Sequence, residues 1–251
     1  MSRLPAAPRD QYAAHFGPDA TERLQVWAHV PYAAAQVDQL ALTLQEHSVL
    51  EARLVELVRL RVAFHNQCRT CMASRYADAR DAGVTEDLVC SLERPEEAPD
   101  LTAAERAALA FADRFATDHL AVTDEQFEGL RQYFSDAQVM ELCLRLAYLV
   151  GFGRMMAILD VRPAELPDRF RVEGFMTPWG EGGVMERPAP APAAGPVWGR
   201  GVSAPSGRPG PPGPWLRPRR CRRSSPARAC CRRTTHAADA RPALLPSTMR
   251  I

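Results

Sequence analysis

The chain reads as an all-α domain followed by a disordered Pro/Arg-rich tail, on three observations. Apolar residues recur at helical spacing from Asp19 to about Leu166, and no run of alternating β-branched residues competes with them. Thr102 and Thr123 each stand three residues ahead of a Glu or Gln, the spacing with which a helix start satisfies its own N–H groups. Beyond residue 186 the pattern stops: 13 Pro fall among the last 65 residues, with little aliphatic content before Leu244. Such a segment cannot recover its ordering entropy by burial. The expected organisation is an N-terminal extension at 1–18, the helical domain at 19–166, its C-terminal extension at 167–186 and the tail at 187–251.

Taken in order, Ala20 to Val30 predicts a short helix ended by Pro31, and Tyr32 to His47 a second. Leu50 to His65 predicts a third, with Leu50, Leu54, Leu57, Val58 and Val62 on one face. After a break at His65-Asn66-Gln67, Cys68 to Ala82 predicts a fourth helix closed by Gly83, a residue that tolerates positive φ. Thr85 caps a short helix to Leu92, and 95–99 is a loop rich in acid and proline. Thr102 opens a helix to His119, Thr123 one from Glu125 to Phe134, and Ser135 caps a long one, Asp136 to Val161. The last carries a wide apolar face through Val139, Leu142, Cys143, Leu146 and Val150, interrupted at Gly151 and Gly153, as expected of a core or subunit-interface helix.

Charge divides the chain at the same place as composition. Residues 1–186 hold 18 Arg against 29 Asp and Glu, net −11, whereas 187–251 hold 13 Arg against Asp239 alone, net +12. No Lys occurs, so all 31 basic residues are Arg, a bias that fits GC-rich coding and implies no partner. Trp198 and Trp215 are the tail's only aromatics, so tight nucleic-acid binding is not expected. No stretch is expected to reach the roughly 20 apolar residues that span a bilayer, which places the protein in the cytoplasm.

Seven cysteines in a reducing compartment point to chemistry in preference to structural staples. Cys68-Arg69-Thr70-Cys71 stands at a predicted helix start, where both sulfurs reach one turn and unpaired N–H groups stabilise a thiolate. Glu56 precedes Cys68 by eleven intervening residues on the adjoining helix. Buried between apolar helices it would titrate upward, as general acid–base work requires. Taken singly these are ordinary residues, two small helix cysteines and a solvated charge; their joint spacing favours a dithiol. A zinc site would need a second ligand pair, and Cys90 and Cys143 are solitary at apolar helical positions where core packing is expected. His29, His47 and His119 lie near helix ends and read as caps, while Cys221, Cys230, Cys231 and His236 sit in the tail without a framework.

The segments Glu56 to Ala63, Asn66 to Cys71 and Ala77 to Gly83, followed by Leu101 to Ala112 and Phe134 to Leu142, resemble the carboxymuconolactone decarboxylase-like family in its alkylhydroperoxidase (AhpD-like) branch. The resemblance covers about residues 50–160. It implies an AhpD-like helical domain, assembly as a trimer or hexamer, and a relay of Glu, Cys, Cys and His. Here the relay histidine's position holds Arg75, which cannot exchange protons at neutral pH but on the same helical face as Cys71 could stabilise a thiolate. Proton delivery then falls to Glu56, to water or to His65.

By the same resemblance Cys71 attacks a hydroperoxide, Cys68 condenses with the resulting sulfenic acid, and an external dithiol or thioredoxin-like partner reduces the disulfide, with no bound cofactor. The expected activity is therefore a thiol-dependent peroxidase or disulfide reductase in antioxidant defence. The alternatives are lactone chemistry like that of the decarboxylases that name the family, which do not depend on a Cys-X-X-Cys, and a non-catalytic helical oligomer, which Arg75 makes plausible.

Overall fold

The computed structural model describes residues 2–188, so the disorder expected of the tail falls, from residue 189 onward, outside the described residues. The N-terminal residues are sewn into the fold. The Arg3 N–H donates to the Leu159 carbonyl at 2.8 Å and the Ala7 N–H to Gln25 at 2.9 Å, ahead of a helix the sequence pattern did not predict, α1 (Arg9–Phe16). After α2 (Glu22–Trp27), Pro31 opens α3 (Pro31–Glu46) as well as ending what precedes it, since its missing N–H costs nothing in a first turn.

The core is built on α4 (Ala52–Asn66). Its Leu57, Leu60 and Val62 have no exposed surface, and each such side chain contributes about 1.5–3 kcal/mol of transfer energy. The dithiol region departs from expectation. Residues 68–82 are not one helix but α5 (Arg69–Ala73), β1 (Ser74–Tyr76) and α6 (Ala77–Asp81). The helix stops because β1 pairs in parallel with β2 (Met185–Arg187), in the register Ser74 to Met185, Arg75 to Glu186 and Tyr76 to Arg187. A strand that distant in sequence leaves no local periodicity to read.

Thr85 caps α7 (Glu86–Cys90), and the Thr102–Glu105 capping box forms reciprocally at α8 (Ala103–Thr117). Thr123 caps α9 (Asp124–Arg131), and Ser135 with Gln138 opens α10 (Asp136–Leu159). Both α8 and α10 pack on α4, with Leu109, Phe111, Leu142 and Leu146 meeting its apolar face. Ion pairs fix these contacts: Arg53 to Glu105 at 2.6 Å and Arg61 to Asp113 at 2.7 Å join α4 to α8. On α10, Arg145 pairs with Glu141, which accepts from Ser48 Oγ and the Val49 N–H in the loop before α4.

Two expectations are corrected here. α10, 24 residues long, has the length and composition of a membrane span, and only 22% of its most apolar stretch is buried. Cys90 is exposed at the end of α7 and not in the core, whereas Cys143 packs part-buried against the core as expected, its thiol pushed up by burial.

Candidate active site

The turn that carries the cysteines is set by Gln67, whose φ of 52° places a non-glycine residue in the left-handed region at the end of α4. That conformation costs about 1 kcal/mol or more and persists where its surroundings over-determine it. Here the Gln67 side chain donates to the Phe64 and Met176 carbonyls and accepts from the Met176 N–H at 2.8 Å, which ties the turn to the C-terminal segment. Cys68 follows as the N-cap of α5, its Sγ accepting the Cys71 N–H at 3.3 Å. The two cysteines are joined as a disulfide with Cα atoms 5.2 Å apart.

The sulfurs differ in access. Cys68 is 1% exposed, in an apolar cluster with Val26, Trp27, Met156 and Val161. Cys71 is half-buried and also borders the group formed by Met72, Leu166, Phe170 and Met185. Thr70 Oγ1 donates to the Val161 carbonyl at 2.6 Å, so the residues between the cysteines are pinned to the chain after α10.

Glu56 is 3% exposed and is not a free acid facing the sulfurs. Arg59, one turn later on α4, grips both carboxylate oxygens, Nε to Oε2 at 2.6 Å and Nη2 to Oε1 at 2.7 Å. The same guanidinium donates to the carbonyls of Cys71 and Ser74, each at 2.7 Å. Glu56 thus reaches the dithiol through Arg59 and its hold on the Cys71 backbone. Burial alone would lower the Arg59 guanidinium, but the charge and hydrogen bonds of Glu56 outweigh it and leave it above its ordinary value.

Arg75 requires a correction. It lies on β1 beyond the end of α5, so it shares no helical face with Cys71. Its guanidinium pairs with Glu86 at 2.7 and 3.0 Å and donates to the carbonyls of Met72, Ser74 and Pro178. That charge is committed to joining β1, α7 and the C-terminal segment. His65 is likewise engaged: its Nε2 lies 2.6 Å from Asp113 Oδ1. Burial alone would raise the Asp113 carboxyl, yet hydrogen bonds from His65 and Arg61 hold it below the ordinary value. His65, Gln67 and Arg69 line a cleft of about 490 Å³ beside the turn.

Residues 31–114, which carry Glu56, Arg59 and both cysteines, match the model of the carboxymuconolactone decarboxylase family. The match covers about a third of the chain, which is similar to that family through this segment. An uncharacterised protein of Mycobacterium tuberculosis is 42% identical over 89 residues, 35% of this chain and 31% of that protein, so the match spans about a third of the relative's length. The uncharacterised protein YdfG of Bacillus subtilis is 26% identical over 110 residues, 43% of this chain and 75% of YdfG. Among solved structures, a peroxidase-related protein from Ralstonia eutropha described as an alkylhydroperoxidase AhpD core superposes with a TM-score of 0.54 at 21% identity, over 71% of this chain and 96% of that one. A debrominase in complex with 2,3,4-tribromopyrrole gives 0.52 at 17% identity, over 65% and 92%. These two likenesses establish the fold.

The sequence singles out Cys68, Cys71 and Glu56, which the fold brings to one turn, but not Arg59, Asp113 or Gln67, which hold that turn and the cleft beside it. Arg59 was visible three residues after Glu56, but pairs at that spacing are commonplace on exposed helix faces and contribute little there. Burial is what gives this one weight, and burial depends on α5 folding back beneath α4. Asp113, 48 residues from His65, had no local signal at all.

Proposed function

We propose that the protein is a thiol-dependent peroxidase or disulfide reductase working through Cys68 and Cys71. The observation that carries this reading is the pair itself: two cysteines at a helix start, bonded to one another, with the more accessible backed by a buried Glu56–Arg59 pair on its own carbonyl.

In the reduced enzyme the half-buried Cys71 meets the hydroperoxide first. Its thiolate attacks the terminal oxygen; the S–O bond forms as the O–O bond breaks, and the alkoxide leaves as the alcohol with a proton from water. Cys68 then attacks the Cys71 sulfenic acid, expelling water and forming the disulfide. An external dithiol or thioredoxin-like protein attacks that disulfide, passes through a mixed disulfide, and leaves oxidised with both cysteines reduced. Glu56 acts here as a positioning residue, keeping Arg59 charged where it fixes the Cys71 backbone. The cycle as written draws on no resident cofactor and suits the reducing cytoplasm.

The same reading includes a homo-oligomer. Its support is the largely unburied apolar surface of α10, which the buried Glu141–Arg145 pair and its bonds to Ser48 and Val49 anchor to the rest of the domain.

Hydroperoxide consumption with a dithiol reductant tests the proposal. Cys71→Ser and Cys68→Ser should each abolish it, and mild peroxide should remove two hydrogens from the peptide joining the two cysteines in the reduced protein, read by mass spectrometry. Variants as active as the parent would overturn the assignment.

A further inference from the structure

The cleft beside the dithiol turn is lined by four guanidinium groups, from Arg3, Arg69, Arg154 and Arg162, and by only two carboxylates, Asp160 and Glu173. The lining therefore carries an excess of two positive charges on a domain that is otherwise acidic. Arg162 is committed, since both its contacts to Asp160 are 2.8 Å. The other three donate only to neutral groups: Arg3 to the Ile158 carbonyl at 2.8 Å, Arg69 to Phe170 and Gly174 at 3.4 and 3.1 Å, and Arg154 to Asn66 Oδ1 at 3.1 Å and to the Ala116 carbonyl. Among the described residues none of these three takes part in an ion pair. His65, at the same cleft, already has its carboxylate in Asp113.

Three like charges drawn to one concavity, with Glu173 the one lining carboxylate not already paired, repel one another more than that single charge offsets, and each guanidinium retains donors in the fork geometry that fits two oxygens of one anion. At about 490 Å³ the space suits a small molecule. Its position relates it to the sulfurs: Arg69 lies between Cys68 and Cys71 in the chain, and Asn66 and Gln67 form the turn that leads into them.

We propose that this cleft is an oxyanion subsite of the dithiol centre, holding the carboxylate or phosphate of a small anionic co-substrate whose thiol or peroxide end addresses the Cys68–Cys71 pair. The redox half of that statement rests on the function proposed above; the anion binding does not.

Titration calorimetry on the full chain at low salt, with inorganic phosphate, succinate and neutral glycerol as probes, tests the binding. Phosphate or succinate should bind and glycerol should not, and the stronger of the two identifies the preferred oxyanion. Arg3→Gln and Arg154→Gln should each weaken binding about tenfold or more, as expected for loss of a charged hydrogen bond. Arg154 also holds Asn66, so the exposed Arg3 supplies the variant that leaves the fold intact. Absence of heat from both anions at millimolar concentration, or variants that bind like the parent, would overturn the subsite.

A second measurement connects it to the sulfurs. Dimercaptosuccinate, a dithiol with two carboxylates, should reduce Cys68–Cys71 severalfold faster relative to dithiothreitol in the parent than in Arg3→Gln; an unchanged ratio places the bound anion elsewhere than the reductant's path. If phosphate binds but no hydroperoxide is consumed, the peroxidase reading fails and the subsite stands. If peroxide is consumed while neither anion binds, the subsite alone fails.

Discussion

Arg75 has five N–H donors and the fold uses all of them: two on Glu86, and one each on the carbonyls of Met72, Ser74 and Pro178. Met72, Ser74 and Pro178 are buried, as is Arg75 at 7% exposure, so those carbonyls have little water to fall back on. Replacing the side chain with the relay residue expected at this position is therefore a structural change before it is a chemical one. Arg75→His should lower stability by about 2–4 kcal/mol, since a shorter ring with two nitrogens leaves several buried acceptors unpaired. It should bring no gain in peroxide turnover. Urea denaturation and a steady-state assay check both halves, and a stable variant with faster turnover would show that position 75 borders the proton path. The residue identities of the dithiol were legible because a short spacing encodes them. The engagement of Arg75 was not, because Glu86 and Pro178 reach it only after β1 replaces a helix.

Where α4 and α10 cross, the two helices approach through a glycine. A Cβ on Gly153 would come within 2.4 Å of Asn66 Nδ2, the amide that donates to the Leu149 carbonyl at 2.8 Å. Two residues earlier, Gly151 faces open space. Alanine is worth about 1 kcal/mol over glycine in a helix, so Gly151→Ala should be neutral or stabilising. Gly153→Ala should be destabilising by about 1–3 kcal/mol because overpacking outweighs the same propensity gain. It should also disturb the Gln67–Cys68 turn that Asn66 leads into. Thermal melts of the two variants make the comparison, and equal effects would deny the close approach. At this scale most of the architecture was readable: α3, α4, α8, α9 and α10 lie within a few residues of where periodicity and capping residues put them, because those signals are local. α1 and β2 escaped since the first has no buried face of its own and the second is defined by a partner 111 residues away.

Across the described molecule, three carboxylates hold α4 and the loop before it to their neighbours: buried Glu105 and part-buried Asp113 from α8 bind α4, and buried Glu141 from α10 binds that loop. For each, burial alone would raise the carboxyl, but hydrogen bonds from Arg53, from His65 and Arg61, and from the Val49 N–H and Arg145 hold it below the ordinary value. A carboxyl whose folded value is depressed contributes stability that is complete above its unfolded value, near 4, and is lost as pH falls toward the folded one. The urea midpoint should hold from neutral pH to about 5 and drop steeply below 4; a midpoint insensitive to that range would contradict the clamp. The outer face of α10 presents the remaining question of solvent. Ala137, Met140, Leu144 and Ala147 are all exposed and follow one another at alternating steps of three and four. That spacing tracks the 3.5-residue period of a helix seam packed against another helix. A face so regular in period and so free of charge fits a second copy of the chain better than water, and an apolar stripe left open would be an aggregation liability. Light scattering on the eluting peak of a gel-filtration column should give a multiple of the 27.7 kDa chain mass. Leu144→Glu, which sets like charges opposite one another at the middle of the seam, should return the monomer mass while circular dichroism stays unchanged. A parent chain that already runs as a monomer would leave α10 without its partner and remove the oligomer from the proposal.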